Sequence, residues 1–246
     1  MSALEVRGLS KAYGGVQALR EVSFEVAAGE RVALIGPNGA GKTTCFNVVN
    51  GQLGADSGDV RLAGARLAGL APHEISRRGV GRTFQVAALF ASMTVRENVQ
   101  MALLSRRGGQ RSLLGSAAQR CRDQADAVLE RVALAQQAGR PCAVLAYGEL
   151  KRLELAVALA QAPRLLLMDE PTAGMAIGER AELMSLASDL ARSENIAVLF
   201  TEHDMDVVFG FASRVLVLHQ GELIAEGAPE AVRADARVRE VYLGDA

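Results

Sequence analysis

One segment constrains the fold of this chain more tightly than any other: Arg31–Thr44, RVALIGPNGAGKTT. Val32, Ala33, Leu34 and Ile35 form a short apolar, partly β-branched run, the composition of a buried strand. The chain then turns through Gly36, Pro37, Asn38, Gly39, Ala40 and Gly41 into Lys42, Thr43 and Thr44, matching G-x-x-x-x-G-K-[ST] without a mismatch. Glycines in such a loop let successive N–H groups face one concavity, and a following helix turns its positive dipole end to the same point. That arrangement suits a polyphosphate. Asn38 to Thr44 form the cradle, Lys42 adds a charge for the terminal phosphates, and the Thr43 hydroxyl can ligate Mg2+.

Composition narrows the setting. The 246 residues are enough for one large α/β domain or two small lobes, and half of them are hydrophobic. A net charge of −1 gives no electrostatic case for nucleic acid as a partner. Three cysteines, Cys45, Cys121 and Cys142, show no C-x-x-C spacing, which suits reduced thiols better than a disulfide frame. Cys45 follows the phosphate loop directly. If exposed there, the helix dipole favours its thiolate; otherwise it is helix packing. The N-terminus lacks the apolar run of a signal peptide, and no stretch approaches the ~18 apolar residues of a membrane span. Action at a membrane would then require a partner.

Around the loop, residues 4–26 read as strands. Val22, Phe24 and Val26 alternate with Ser23 and Glu25, the period of a half-buried antiparallel strand, and Val60 and Leu62 suggest another. Tyr13 and Val16 flank a Gly-Gly turn; Tyr13 either packs at a strand end or stacks on a base, and a nearby phosphate loop favours stacking. Residues 81–90, GRTFQVAALF, break the pattern, with Gln85 polar among apolar neighbours as on an exposed connecting segment. Ser92-Met93-Thr94-Val95 then reads as a helix entry, with Glu97 in the first turn. Residues 117–134 form a second helix, with Ala125, Val128, Leu129 and Val132 at i, i+3, i+4 and i+7. Residues 87–160 thus read as a helical block inserted between 1–86 and 161–246. Its arginines fit a solvated face.

The α/β frame resumes at Leu165–Asp169. Four apolar residues end in Asp169 and Glu170: a buried strand opening on a polar site. Asp169 suits a Mg2+ contact, direct or through water, and Glu170 suits a base or an orienting acceptor for an attacking water. A helix over 181–191 and a strand over 196–200 follow, then His203, which could donate to a terminal phosphate or be structural. A hairpin turning at Gln220-Gly221 and a short terminal helix close the chain.

In this order the segments resemble the nucleotide-binding subunit of ABC transporters, over essentially the whole chain. The matching elements are an aromatic loop at Tyr13, Walker A at Gly36–Thr43, a Q-loop at Gln85, a signature at Leu145–Glu149, Walker B at Leu165–Asp169 with Glu170, and an H-loop at His203. The resemblance implies a P-loop NTPase core with a mostly parallel sheet, an antiparallel β-subdomain and an inserted helical subdomain. It implies ATP and Mg2+ as cofactors. It makes Lys42, Gln85, Glu170 and His203 catalytic, Thr43, Gln85 and Asp169 metal-facing, and Tyr13, Val16 and the Asn38–Thr44 loop nucleotide-binding. Ala146, Gly148 and Glu149 would meet an ATP held by a second ATPase subunit, identical or paralogous, in a head-to-tail dimer. Membrane permease subunits would dock on the helical block, with a periplasmic or extracellular binding protein upstream. The chain itself would sit peripherally on the cytoplasmic face of the membrane, with no nucleic acid partner.

The signature reads Leu145-Ala146-Tyr147-Gly148-Glu149 rather than LSGGQ. Ala146 lacks the usual hydroxyl, a hydrogen bond of about 0.5–1.5 kcal/mol net. Glu149 for Gln is unfavourable near phosphate unless a cation compensates, and Ala176 replaces the Asp of the loop after Walker B. The LAYG signature, Arg82-Thr83-Phe84-Gln85, the Leu89–Asn98 run and Val241-Tyr242-Leu243-Gly244 are similar to one branch, the ATPases of branched-chain amino acid importers. Urea or amide importers and a lipopolysaccharide-type exporter are the alternatives. The exporter type shows a GYLPQ-like Q-loop and an LSGGE signature, unlike this chain. A nucleic-acid ATPase would carry tandem domains or basic patches, and an inactive copy would not keep Lys42, Asp169, Glu170 and His203.

Overall fold

The alternation at Val22, Phe24 and Val26 becomes a long hairpin in the computed structural model, which describes residues 2–83, 89–106 and 116–243. Strands β1 (Ser2–Tyr13) and β2 (Val16–Ala27) pair antiparallel from Ser2↔Ala27 to Tyr13↔Val16. With β4 (Ser57–Leu62) and β5 (Ala65–Arg66) they make a four-stranded antiparallel sheet in the order β2-β1-β4-β5.

The second sheet has six strands. Its members are β3 (Arg31–Ile35), β6 (Val80–Thr83), β7 (Leu165–Asp169), β8 (Ala197–Thr201), β9 (Arg214–His219) and β10 (Glu222–Gly227), in the order β10-β9-β3-β8-β7-β6. All pairs are parallel except β9–β10, whose turn carries Gln220 and Gly221 at φ +48° and +84°, the left-handed pair a two-residue hairpin turn needs. Apart from Asp169 and Thr201 at the C-terminal ends of β7 and β8, the buried residues of β3, β7, β8 and β9 are apolar because both faces are covered. Ala33, Ile35, Leu166, Met168, Val198 and Phe200 join one hydrophobic cluster, and Val32, Leu34, Leu165, Leu167, Ala197 and Leu199 the other.

The first cluster is roofed by α3 (Val95–Arg106), α4 (Ser116–Arg131), α5 (Tyr147–Ala160) and α6 (Ile177–Ser193). The second is closed by α1 (Lys42–Val49) and the antiparallel sheet. The α3 start is a reciprocal cap: Thr94 N and Oγ1 donate to Glu97 Oε2 at 2.7 and 2.9 Å, and Glu97 N donates to Thr94 Oγ1 at 3.2 Å. Helix α4 stops at Arg131, short of the expected residue 134, because Ala133 adopts φ +56°; Val132 and Leu134 stay buried beyond it. Short α2 (Pro72–Arg77), α7 (Met205–Phe211), α8 (Pro229–Ala234) and α9 (Ala236–Leu243) complete the described chain. Residues 81–83 belong to strand β6 rather than to a break in the pattern. The parallel order brings the C-terminal ends of β3, β8, β7 and β6 together along one edge, where a ligand crevice of an open α/β sheet lies.

Candidate functional site

Two glycines explain the loop between β3 and α1. A Cβ on Gly36 would lie 2.1 Å from Leu218 O, and one on Gly41, at φ +108°, 2.3 Å from Ala18 O. No other residue fits either position, so the loop is clamped between β9 and β2. Asn38, Gly39 and Thr43 are exposed at its rim, Thr44 is half-buried and Ala40 is buried beneath. Lys42 Nζ donates to Gly36 O at 2.6 Å and Pro37 O at 3.1 Å, curling over its own loop. Burial holds its ammonium below the ordinary lysine pKa, while the charges of Glu170 and Asp169 pull the other way.

Asp169 ends β7 and is buried. Thr201 Oγ1 donates to its Oδ1 at 2.8 Å, and Arg82 Nη2 to its Oδ2 at 3.0 Å. Glu170 follows in a left-handed conformation, φ +47°, with its N–H held by Thr201 O and Oγ1, both at 3.1 Å. Backbone held in that region by its surroundings is characteristic of functional positions. Its Oε1 lies 2.9 Å from His203 Nε2. The segment leaving Glu170 is fastened to the end of β8: Thr172 N and Oγ1 donate to buried Glu202 at 2.8 and 2.7 Å. Arg180 adds a second tie, donating to Met175 O at 2.8 Å and to Asp204 at 2.6 Å.

The signature residues form the start of α5, with Ala146 at the N-cap and Gly148 buried in the first turn. Glu149 turns back, accepting from Ala146 N at 2.9 Å, and lies 3.8 Å from the half-exposed Arg140 guanidinium. Tyr147 Oη donates to Ala173 O at 2.9 Å, tying this helix start to the segment after Glu170. Tyr13 and Val16 pair across the end of the β1–β2 hairpin, both exposed, with Lys11 Nζ 5.8 Å from the Tyr13 ring.

The fold therefore gathers Lys42, Thr43, Asp169, Glu170 and His203 at one strand-end crevice, while Ala146, Gly148 and Glu149 belong to a separate helix start. Gln85 lies outside the described residues. Of the two readings of Cys45, helix packing holds: it is fully buried, and burial pushes its thiol up to about 12. Sequence reasoning passed over Arg82, Thr172, Arg180 and Glu202. Arg82 adjoins the Q-loop motif; the others carry no signal apart from their nearness to Glu170 and His203.

Known proteins share this arrangement. A family model described as ABC transporter matches residues 19–173, and one described as Branched-chain amino acid ATP-binding cassette transporter matches residues 222–246. The high-affinity branched-chain amino acid transport ATP-binding protein LivG of Salmonella typhimurium is 41% identical over 250 residues, covering 99% of this chain and 98% of that one. A nucleotide-free ATP-binding cassette from an ABC transporter superposes with a TM-score of 0.87 at 30% identity, covering 100% of both chains. A dimeric cassette bound to ADP and Pi superposes with a TM-score of 0.78 at 26% identity, covering 92% of this chain and 98% of that one. Motif order, sheet order and full-length similarity agree: the chain belongs to the ATP-binding proteins of ABC transporters, in their branched-chain amino acid branch.

Proposed function

We propose that this chain is the ATP-binding and ATP-hydrolysing subunit of an importer that takes up branched-chain amino acids through a separate permease. The observation that carries the chemistry is the strand-end crevice, where the Lys42 loop lies beside Asp169 and the Glu170–His203 pair at 2.9 Å. Phosphoryl transfer to water needs little covalent help from a protein, so positioning and charge neutralisation dominate.

Lys42 exchanges its loop carbonyls for the terminal phosphates. Glu170 accepts from the attacking water and orients it, and His203 exchanges Glu170 Oε1 for the γ-phosphate as the acceptor of its Nε2–H. Tyr13, paired with Val16 across the hairpin end, offers a face for the base. Thr43 and Asp169 are the residues that would hold Mg2+. Each Asp169 oxygen has one donor and keeps a lone pair, and among the described residues no group of three or more His, Cys, Asp and Glu could hold a metal. That donor set fits an ion retaining several waters and phosphate ligands. When bound, Mg2+ supplies neutralisation of phosphate charge.

The start of α5 closes over an ATP held by a second ATPase subunit, with Gly148 permitting close approach of backbone N–H groups. The dimeric cassette bound to ADP and Pi supports this pairing. A groove of about 330 Å³ lined by Phe90, Met101, Val157 and Gln161 suits a permease helix, with Phe90 and Met101 exposed on it. No described helix is long and apolar enough to cross a membrane, which fits a peripheral subunit on the cytoplasmic face, served by a binding protein on the other side.

Glu170→Gln tests the assignment. Turnover falls about 10²–10⁴-fold, the contribution of a positioned base, ATP affinity is kept, and dimers accumulate on gel filtration in ATP. Hydrolysis near the wild-type rate removes Glu170 from its role.

A further inference from the structure

Arg82 lies at the crevice, and the proposed chemistry leaves it without a task. It is the penultimate residue of β6, beside β7 in the register Arg82↔Leu167 and Thr83↔Met168, and its side chain reaches Asp169 at the end of the neighbouring strand. Nη2 donates to Asp169 Oδ2 at 3.0 Å. Nη1 donates to Asn47 Oδ1 at 2.8 Å and Gln52 Oε1 at 3.0 Å, on α1 and just after it. The guanidinium also lies 5.9 Å from the centre of the Phe46 ring. The two charged side chains are 10% and 9% exposed, so solvent screens their attraction little.

We infer that Arg82 is the resident counter-charge of Asp169 in the nucleotide-free chain, and that it thereby limits how much Mg2+ strengthens ATP binding. Lys42 does not fill this place, since its ammonium is donated to Gly36 O and Pro37 O. Asp169 therefore meets an incoming dication with one oxygen already engaged by a cation. Arg82 is fixed from its other side by two amide oxygens and an aromatic face, so it stays near the site when Asp169 turns. A permanent positive charge there weakens the hold on a divalent ion. The metal then enters and leaves with the triphosphate, whose oxygens supply the missing negative charge. Arg82 is in this sense a positioning residue, acting through Asp169.

The inference rests on the reading of Asp169 as a Mg2+-facing residue. The test titrates a fluorescent ATP analogue into the full chain, once with excess Mg2+ and once with EDTA, for wild type, Arg82→Met and Arg82→Lys. The quantity read is the dissociation constant in EDTA divided by that in excess Mg2+. In Arg82→Met that ratio rises by about tenfold, equivalent to one charge-assisted hydrogen bond. In Arg82→Lys it rises less, because a single ammonium keeps the charge but loses the fork. A purely structural Arg82 moves both constants together; an unchanged or smaller ratio overturns the inference. If Arg82→Met does not fold, the Arg82→Lys ratio decides in the same way. A wild-type chain bound equally well with and without Mg2+ removes the reading of Asp169, and the inference with it, which is a different outcome from an unchanged ratio in the variants.

Discussion

Lys42 shows how a single residue is tuned by its place in the fold. The loop gives its ammonium two carbonyl acceptors and little water, and burial lowers its pKa against the opposing pull of Glu170 and Asp169. The sign of the consequence is fixed. Phosphate binds the protonated amine, so ATP affinity is constant while Lys42 is fully charged and falls, by up to about tenfold per pH unit, once pH passes its pKa in the free chain. Because that pKa is depressed, the loss begins below the ordinary lysine range. ATP titrations from neutral to alkaline pH read this directly, and Lys42→Ala gives weak, flatter binding throughout. A wild-type loss that starts only at the ordinary lysine value contradicts the depressed pKa. Neighbouring Cys45 carries the opposite lesson. The helix dipole alone pointed to a thiolate, but complete burial outweighs it.

Between elements, the site is kept in shape by a seam of hydrogen bonds from the end of β8 to the segment after Glu170. Glu202 is the centre of that seam, a buried carboxylate accepting from Thr172 N and Oγ1. Thr172→Val keeps the volume but strips one donor from a buried anion, which costs about 1–3 kcal/mol. Chemical denaturation measures it, and a change below about 0.5 kcal/mol, the ordinary effect of a surface substitution, would show the seam to be slack. Elements of this kind differ in how far the sequence reveals them. Strands β3, β7 and β8 and the phosphate loop were legible because an apolar run meets a fixed motif. Strand β6 was not, since Val80–Thr83 contains Gly and a charged Arg and looks like connecting chain. Arg82 becomes buried through a partner 87 positions away, a distance no local pattern encodes. The left-handed backbone at Glu170 and the early stop of α4 at Ala133 are likewise set by packing rather than propensity. The Glu149 carboxylate, unfavourable in the linear motif, lies 3.8 Å from Arg140, which only the fold brings near.

At the scale of the whole molecule, the proposed function makes the crevice and the signature helix two halves of sites shared between chains. The hydrogen bond from Tyr147 to Ala173 O links this chain's signature to the segment that leaves its own Glu170. If each ATP is held by Lys42 of one subunit and α5 of the next, then two defective chains can repair each other. Lys42→Ala removes the phosphate cation. Gly148→Asp crowds the Glu179 carboxylate, 3.0 Å from where its Cβ would stand, and adds a negative charge at the start of α5. Each variant alone loses hydrolysis in both sites of its dimer. A mixed dimer contains one doubly defective site and one intact site, made from Lys42 of the Gly148→Asp chain and Gly148 of the Lys42→Ala chain. Mixing the two inactive proteins therefore restores ATP hydrolysis, measured as phosphate release. A site complete within one chain gains nothing from mixing, so activity that stays at the level of the separate variants rejects the shared-site arrangement.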